Sequence, residues 1–219
     1  HVSLVGSEMC IRDSNKAVAA RDAGKFDNEI IPITLEDGTV IDKDSGPRNP
    51  DKDKIKSLNP AFRADGTVTA ATSSPFSIGA SAMLITSEKF ANEHGLKIRA
   101  FVEGRAVAGV NWKMFGSGPV PATEKALEKA GLTMDDIDAV ELNEAFAAQA
   151  LYCIKKSNWD INKVNLNGGA VALGHPLGIS GTRIITTLLN VLEQQDKSMG
   201  LATMCVGTGQ GITTIIKRG

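Results

Sequence analysis

The strongest constraint on how this chain folds is the placement of its glycines. Glycine makes up 22 of 219 residues, and in the second half it gathers in loops between strand-like and helix-like stretches. Residues 121–130 read as a helix closed by Gly131, 138–142 as a strand, and 143–156 as a helix with Ala145, Phe146, Gln149, Ala150 and Ile154 on related faces. Residues 164–166 read as a strand, 184–192 as a strongly apolar helix, and 201–206 and 212–216 as two further strands joined by a glycine-rich turn. Thr133 and Asp136 have the spacing of a capping box. Alternating strands and helices predict a layered α/β domain.

The first half is less regular. Residues 15–27 carry a helical pattern, 30–33 a short strand interrupted by Pro32, and 67–70 a strand-like run. The small apolar run 78–85 suits a buried helix. A further helix through Phe90 and Ala91 stops at His94 and Gly95, where a C-terminal cation and a glycine cap are expected. Residues 35–60 are polar and turn-rich. Between Lys43 and Arg63 there are six basic and three acidic residues, which describes a solvated loop or a local basic lid over a phosphorylated ligand. Residues 1–14 lack the charged start of a signal peptide, and residues 4–13 look like translated adapter or vector read-through. The chain starts with His1, as a fragment would.

Composition excludes several classes. Twenty-four basic against twenty-five acidic side chains leave a net charge of −1, with no field to hold nucleic acid or an anionic membrane. No apolar run approaches the ~18 residues of a membrane helix. Three cysteines without a C-x-x-C pair fit neither a disulfide framework nor a structural zinc site, so a reducing, cytoplasmic setting is expected with no metal.

Three motifs carry chemistry. At 143–149 the chain reads Asn-Glu-Ala-Phe-Ala-Ala-Gln, at a strand-to-helix junction. Asn143 is either a plain helix N-cap or an amide that fixes a water or an oxyanion. At 167–183 five glycines fall within fourteen residues around His175, and Pro176 keeps His175 out of helical geometry. At 205–211 Cys205 precedes a Gly-x-Gly-x-Gly turn whose N–H groups can form an anion nest. A dinucleotide fingerprint is excluded there, because only eight residues follow Gly211 and they hold no crossover helix. A cysteine, a histidine and an asparagine on three strand-end loops suggest acyl transfer through a thioester. Spacing alone does not say which is nucleophile and which is base.

These motifs, with residues 118–122 and 200–205, resemble the C-terminal portion of the thiolases, and most closely bacterial-type 3-ketoacyl-CoA thiolases (acetyl-CoA acyltransferases) of fatty-acid β-oxidation. The resemblance covers residues 14–219. It implies a layered α/β/α fold, the C-terminal half plus lid of a five-layer architecture. It divides the chain into an unmatched segment 1–14, a lid at 15–66, the end of the N-terminal half at 67–96 and the C-terminal domain at 97–219. It implies retro-Claisen cleavage of a 3-ketoacyl-CoA by coenzyme A, which is substrate and not a resident cofactor. His175 would activate the nucleophilic cysteine, Cys205 would exchange a proton with the acetyl α-carbon, Asn143 would hold an oxyanion-hole water, and the Gly207 amide would serve a second hole. The lid around 28–63 would contact CoA, Phe62 and Ser74 would face the pantetheine arm, and Phe115 and Phe146 would line the pocket beside it. A homo-oligomer is implied, with a multifunctional β-oxidation subunit as a further partner.

Two departures stand out. The family's acyl-accepting cysteine precedes the matched region, and neither Cys10 nor Cys153 has its context, so the chain alone is expected to be inactive. Ile78 stands where relatives place Asp before Gly79. Half of a fold normally shared between two similar halves should leave apolar surface bare, and 184–192 and 200–206 are the expected places. A ketoacyl synthase is disfavoured by Cys205 before the terminal glycine turn. A non-catalytic CoA- or lipid-binding domain of thiolase ancestry is the alternative, disfavoured by the presence of all three polar residues.

Overall fold

The computed structural model describes residues 2–219. A long helix α1 (Val2–Asp22) opens the chain, followed by a two-stranded antiparallel hairpin, β1 (Ile33–Thr34) and β2 (Val40–Ile41), and the short helices α2 (Lys52–Ser57) and α3 (Glu88–Glu93). The second half contains β3 (Ala100–Gly109), α4 (Pro119–Ala130), β4 (Ala139–Leu142), α5 (Ala147–Lys156), α6 (Ala170–Leu173), α7 (Ser180–Gln194), β5 (Met199–Val206) and β6 (Gln210–Arg218).

Four of the strands form one sheet in the order β3-β6-β5-β4. The β3–β6 and β5–β6 pairs are antiparallel, and β4 lies parallel to β5 with Leu142 opposite Thr203. Side chains alternate between two faces, as the period of a strand requires. Val140, Leu201 and Ile215 enter one core with Val120, Leu127 and Ile154 of α4 and α5. Ala139, Ala202 and Ile216 enter a second core with Ile184, Leu188, Val191 and Leu192 of α7. Both faces are therefore covered over β4 and β5, which read as near-continuous apolar runs, while Phe101, Val102 and Val107 of edge strand β3 stay exposed. Helices pack on either side of the sheet, and α/β layering is the observed class.

Local chemistry sets the ends of these elements. Gly131 ends α4 at φ 66°, and Thr133 and Asp136 form the anticipated capping box. His94 caps α3, its Nδ1 lying 3.0 Å from the Phe90 carbonyl, with Gly95 next at φ 62°. The role given to His94 from sequence is the one it plays.

Several elements differ from the sequence expectations. The helix expected at 15–27 ends at Asp22 and reaches back through 2–14, packing on α5 and α6 with Met9 in the core and Asp13 fully buried. Residues 78–85 form no helix. They run extended with no regular secondary structure, Phe76 is 98% and Ile78 104% exposed, and Leu84 and Ile85 are three-quarters exposed. A short apolar run lacks the periodicity that separates strand from helix, and of this one only Met83 packs against the core beside α7. The segments expected to be bare, 184–192 and 200–206, are instead the heart of the second core. The reason is that α7 covers the sheet from within this chain. The 67–70 and 164–166 strands reduce to single bridges, Pro60 to Thr69 and Val140 to Val164. Strand β3 has no counterpart in the sequence reading, because an edge strand of small residues with a bulge between Val102 and Gly104 lacks clean alternation.

Leu188 is fully buried between α7 and Gly200, where a Cβ would sit 2.8 Å from its side chain. Leu188→Ala is expected to cost about 2–5 kcal/mol in urea unfolding. A loss below about 1 kcal/mol would contradict the packing of α7 on the sheet.

Candidate active site

Parallel pairing places the C-terminal ends of β4 and β5 side by side, and two of the three motif residues leave from there. Asn143 follows β4 directly, and its N–H donates to the Thr203 carbonyl at 2.9 Å. Asn165 holds the strand end from the other side: its Oδ1 accepts from the Leu142 N–H at 2.8 Å, and its Nδ2 donates to the Leu142 carbonyl at 3.0 Å. This exchange imitates a neighbouring strand. Helix α5 begins only at Ala147, with extended Phe146 as its N-cap. Asn143 is therefore not a helix cap, and its expected helix is four residues shorter. The Asn143 side chain is fully buried. Its Nδ2 lies 3.4 Å from Nε2 and 3.5 Å from Nδ1 of His175, and its Oδ1 has no hydrogen-bond partner among the described residues.

His175 sits on the loop from α6 to α7, directly after Gly174 at φ 101°. Its Nδ1 is 2.6 Å from Oγ of Ser180, the first residue of α7. Partial burial, reinforced by the Arg183 charge, lowers the imidazole pKa from its ordinary value, so the ring is neutral near pH 7. Ser180 was not among the candidate residues read from the sequence. Its signal was available, since it lies five residues after His175 at a helix start.

Cys205 is the penultimate residue of β5, opposite Gly211, at the same end of the sheet as Asn143. It is buried, and burial pushes its thiol pKa up, which keeps the proton on sulfur. The following turn separates the roles of its glycines. A Cβ on Gly211 would sit 2.0 Å from the Gly118 carbonyl oxygen, and one on Gly209 would sit 2.5 Å from that of Val110. These two glycines admit close chain crossings and are structural. Gly207 faces open space, where a Cβ would meet nothing within 4 Å.

The four residues expected near the pantetheine arm meet around 145–146. Phe146 makes edge-to-face contacts with Phe62 at 6.3 Å and Phe115 at 6.5 Å between ring centroids. The Ser74 Oγ and N–H both donate to the Ala145 carbonyl, at 3.1 and 3.0 Å. Phe115 also lines an open groove of about 720 Å³ with Trp112, Lys113 and Thr208, so this one ring borders both the aromatic cluster and the glycine turn. Trp112 and Lys113 were not anticipated. The six basic residues between 43 and 63 are all exposed, as a solvated loop would have them. No group of three or more His, Cys, Asp or Glu among the described residues has the arrangement of a metal site.

Beneath the site lie buried acids. Glu144, next to Asn143, accepts from Asn165 Nδ2 at 2.7 Å and the Val171 N–H at 3.2 Å. Burial and the adjacent Asp13 carboxylate hold its pKa well above the ordinary carboxylate range, so it is protonated. Glu141, in the middle of β4, is fully buried, and burial pushes its pKa up to about 8 despite Arg183 at 3.8 Å. An acid inside the apolar run Ala-Val-Glu-Leu was a legible signal for such a group.

Comparison with known proteins matches residues 96–218 to the thiolase C-terminal domain and residues 7–89 to the thiolase N-terminal domain. The chain belongs to the thiolase family. It is 53% identical over 224 residues to a 3-ketoacyl-CoA thiolase of Vibrio parahaemolyticus, covering 96% of this chain and 56% of that protein. A 3-ketoacyl-CoA thiolase of Photorhabdus laumondii is 52% identical over 229 residues, covering 100% and 59%. Among solved structures, a Bacillus anthracis acetyl-CoA acetyltransferase superposes with a TM-score of 0.96 at 39% identity, covering 100% of this chain and 56% of the other. Human mitochondrial 3-ketoacyl-CoA thiolase in complex with CoA superposes with a TM-score of 0.95 at 39% identity, covering 98% and 54%. The chain thus spans a little over half the length of these relatives.

The folded pKa of Glu141 lies above its unfolded value, so its contribution to stability is complete below about pH 4.5 and is lost as pH rises through about 8. Relative to Glu141→Gln, whose side chain stays neutral, the wild type is expected to lose stability across that window, by up to about 1.4 kcal/mol per pH unit. Chemical unfolding of both proteins at a series of pH values measures this. Parallel curves would show that the fold does not raise the pKa of Glu141.

Proposed function

We propose that the protein carrying this chain is a 3-ketoacyl-CoA thiolase, which cleaves a 3-ketoacyl-CoA with coenzyme A to acetyl-CoA and a shortened acyl-CoA in β-oxidation. The observation that carries this is the approach of the Asn143 amide to the His175 ring at 3.4–3.5 Å, beside the strand end that bears Cys205. The family membership and the 3-ketoacyl-CoA thiolase relatives support it.

The electrostatics divide the roles that spacing left open. A neutral imidazole accepts a proton, so His175 is the base that takes hydrogen from a thiol. A thiol held protonated by burial donates one, so Cys205 delivers a proton to the α-carbon of the acetyl-CoA enolate when the C–C bond breaks. In the reverse direction the Cys205 thiolate removes that proton. Asn143 holds a water over one developing oxyanion, and the Gly207 amide serves the other. CoA enters as substrate along the cleft of Phe62, Ser74, Phe115 and Phe146. The working enzyme is a cytoplasmic homo-oligomer, with a multifunctional β-oxidation subunit as partner.

Neither remaining cysteine suits the acyl-accepting role. Cys153 is buried in α5, its Sγ donates to the Gly116 carbonyl at 3.4 Å, and burial pushes its pKa up to about 12. Cys10 is buried in α1 with its pKa raised. The isolated 219-residue chain, given acetoacetyl-CoA and CoA, is therefore expected to form no acetyl-CoA, and turnover would refute this. In a full-length enzyme with these residues, Cys205→Ser should lower kcat by about 10²-fold or more while the nucleophilic cysteine still becomes acylated. Loss of acylation as the main defect would overturn the role of Cys205.

A further inference from the structure

Ser180, the first residue of α7, meets the His175 ring at Nδ1. Ser180 Oγ has two close partners, His175 Nδ1 at 2.6 Å and the Pro176 carbonyl oxygen at 2.9 Å. A hydroxyl has one hydrogen to donate, and a carbonyl oxygen only accepts. Both contacts are hydrogen bonds in one arrangement alone: Ser180 donates to Pro176, and His175 Nδ1–H donates to Ser180. Asn143 Nδ2 lies almost equally near both ring nitrogens, 3.4 Å from Nε2 and 3.5 Å from Nδ1, and so favours neither tautomer. From the Ser180 contacts we infer that Ser180 is a positioning residue that holds neutral His175 as the Nδ1–H tautomer, leaving the lone pair on Nε2.

The inference deepens the proposed function and rests on it for its catalytic meaning. During the proton transfer a thiol S–H bond breaks and an Nε2–H bond forms, so the ring becomes an imidazolium. Its new charge is shared through Nδ1–H with the Ser180 oxygen, whose own hydrogen stays on the Pro176 carbonyl. No heavy atom has to move. Ser180 is itself rigid, being fully buried at the first position of α7 with its N–H also directed to the Pro176 carbonyl at 3.1 Å. The competing arrangement turns the Ser180 O–H toward Nδ1, leaves Pro176 with its main-chain donors and places hydrogen on Nε2.

Long-range ¹H–¹⁵N correlation of the ¹⁵N-histidine-labelled 219-residue chain separates the two tautomers, and with three histidines in the sequence a His175→Asn sample assigns the signal. Above the imidazole titration the wild type should show the Nδ1–H pattern. Ser180→Ala should move the majority population to Nε2–H, the form a free side chain prefers, while Ser180→Thr should retain Nδ1–H. An Nε2–H wild type, or an Nδ1–H pattern unchanged in Ser180→Ala, overturns the inference. If Ser180→Ala does not fold, the wild-type spectrum still decides the tautomer. Ser180→Cys, with a weakly accepting sulfur, then decides the role of Ser180 by showing or lacking a shift toward Nε2–H. The measurement requires no turnover. Absence of thiolysis in a full-length enzyme would sink the functional proposal and leave this result standing.

Discussion

The parallel pairing of β4 with β5 is the constraint on which the rest of the site depends. It puts Leu142 opposite Thr203, so the chain leaving β4 emerges beside the last residues of β5. Asn143 then follows as the first residue past one strand, and Cys205 sits near the end of the other. Parallel strands cannot be joined by a tight turn and need a long crossover. Here the connection contains α5, α6 and α7, and the loop between α6 and α7 carries His175. The same topology that pairs the strands therefore returns the third chemical group to their shared end.

Burial gives these groups their protonation states. In water at neutral pH a carboxylic acid beside the site would be an anion and would repel negative charge developing there. Glu144 and Glu141 are so deeply buried that the neutral form persists well above the ordinary carboxylate range. The same desolvation keeps the Cys205 thiol protonated and the His175 ring neutral. The result is a site whose resting residues carry little charge, with hydrogen-bond donors already aimed. That is the environment in which a charge appearing on a carbonyl oxygen is stabilised most by fixed dipoles.

Sequence was informative wherever a residue's role is chemical or local. Gly131, the Thr133–Asp136 box and the His94 cap follow from rules spanning four residues, and the three motifs are short runs of unusual composition. Tertiary context is what it lacked. Asn143 has the residue type of an N-cap, yet helix α5 starts four residues later because Asn165 and Thr203 claim the backbone around Leu142 and Asn143. Ser180 looks like any serine at a helix start until its distance to His175 is known. The glycines of the last turn read alike in sequence, while the structure makes two of them chain crossings and leaves Gly207 facing open space.

The distribution of apolar surface separates what builds the site from what does not. An extended, exposed run with Phe76, Ile78, Leu84 and Ile85 has the character of an association-prone segment. It lies outside the four-stranded sheet and meets the site at two places: Ser73 and Ser74 pair with residues 145–146, and Gly79 lies against Pro176 of the His175 loop. The middle of the sheet is covered by α4, α5 and α7, with Leu188, Leu192, Leu201 and Ile215 fully buried, while edge strand β3 leaves Phe101 and Val107 exposed. Asn143, His175, Ser180 and Cys205 all depart from that covered core. Their mutual geometry follows from packing within residues 100–219 together with α1, which packs on α5 and α6 and donates from Lys16 to the Val164 and Asn165 carbonyls, whereas the aromatic cluster also needs Phe62 and Ser74.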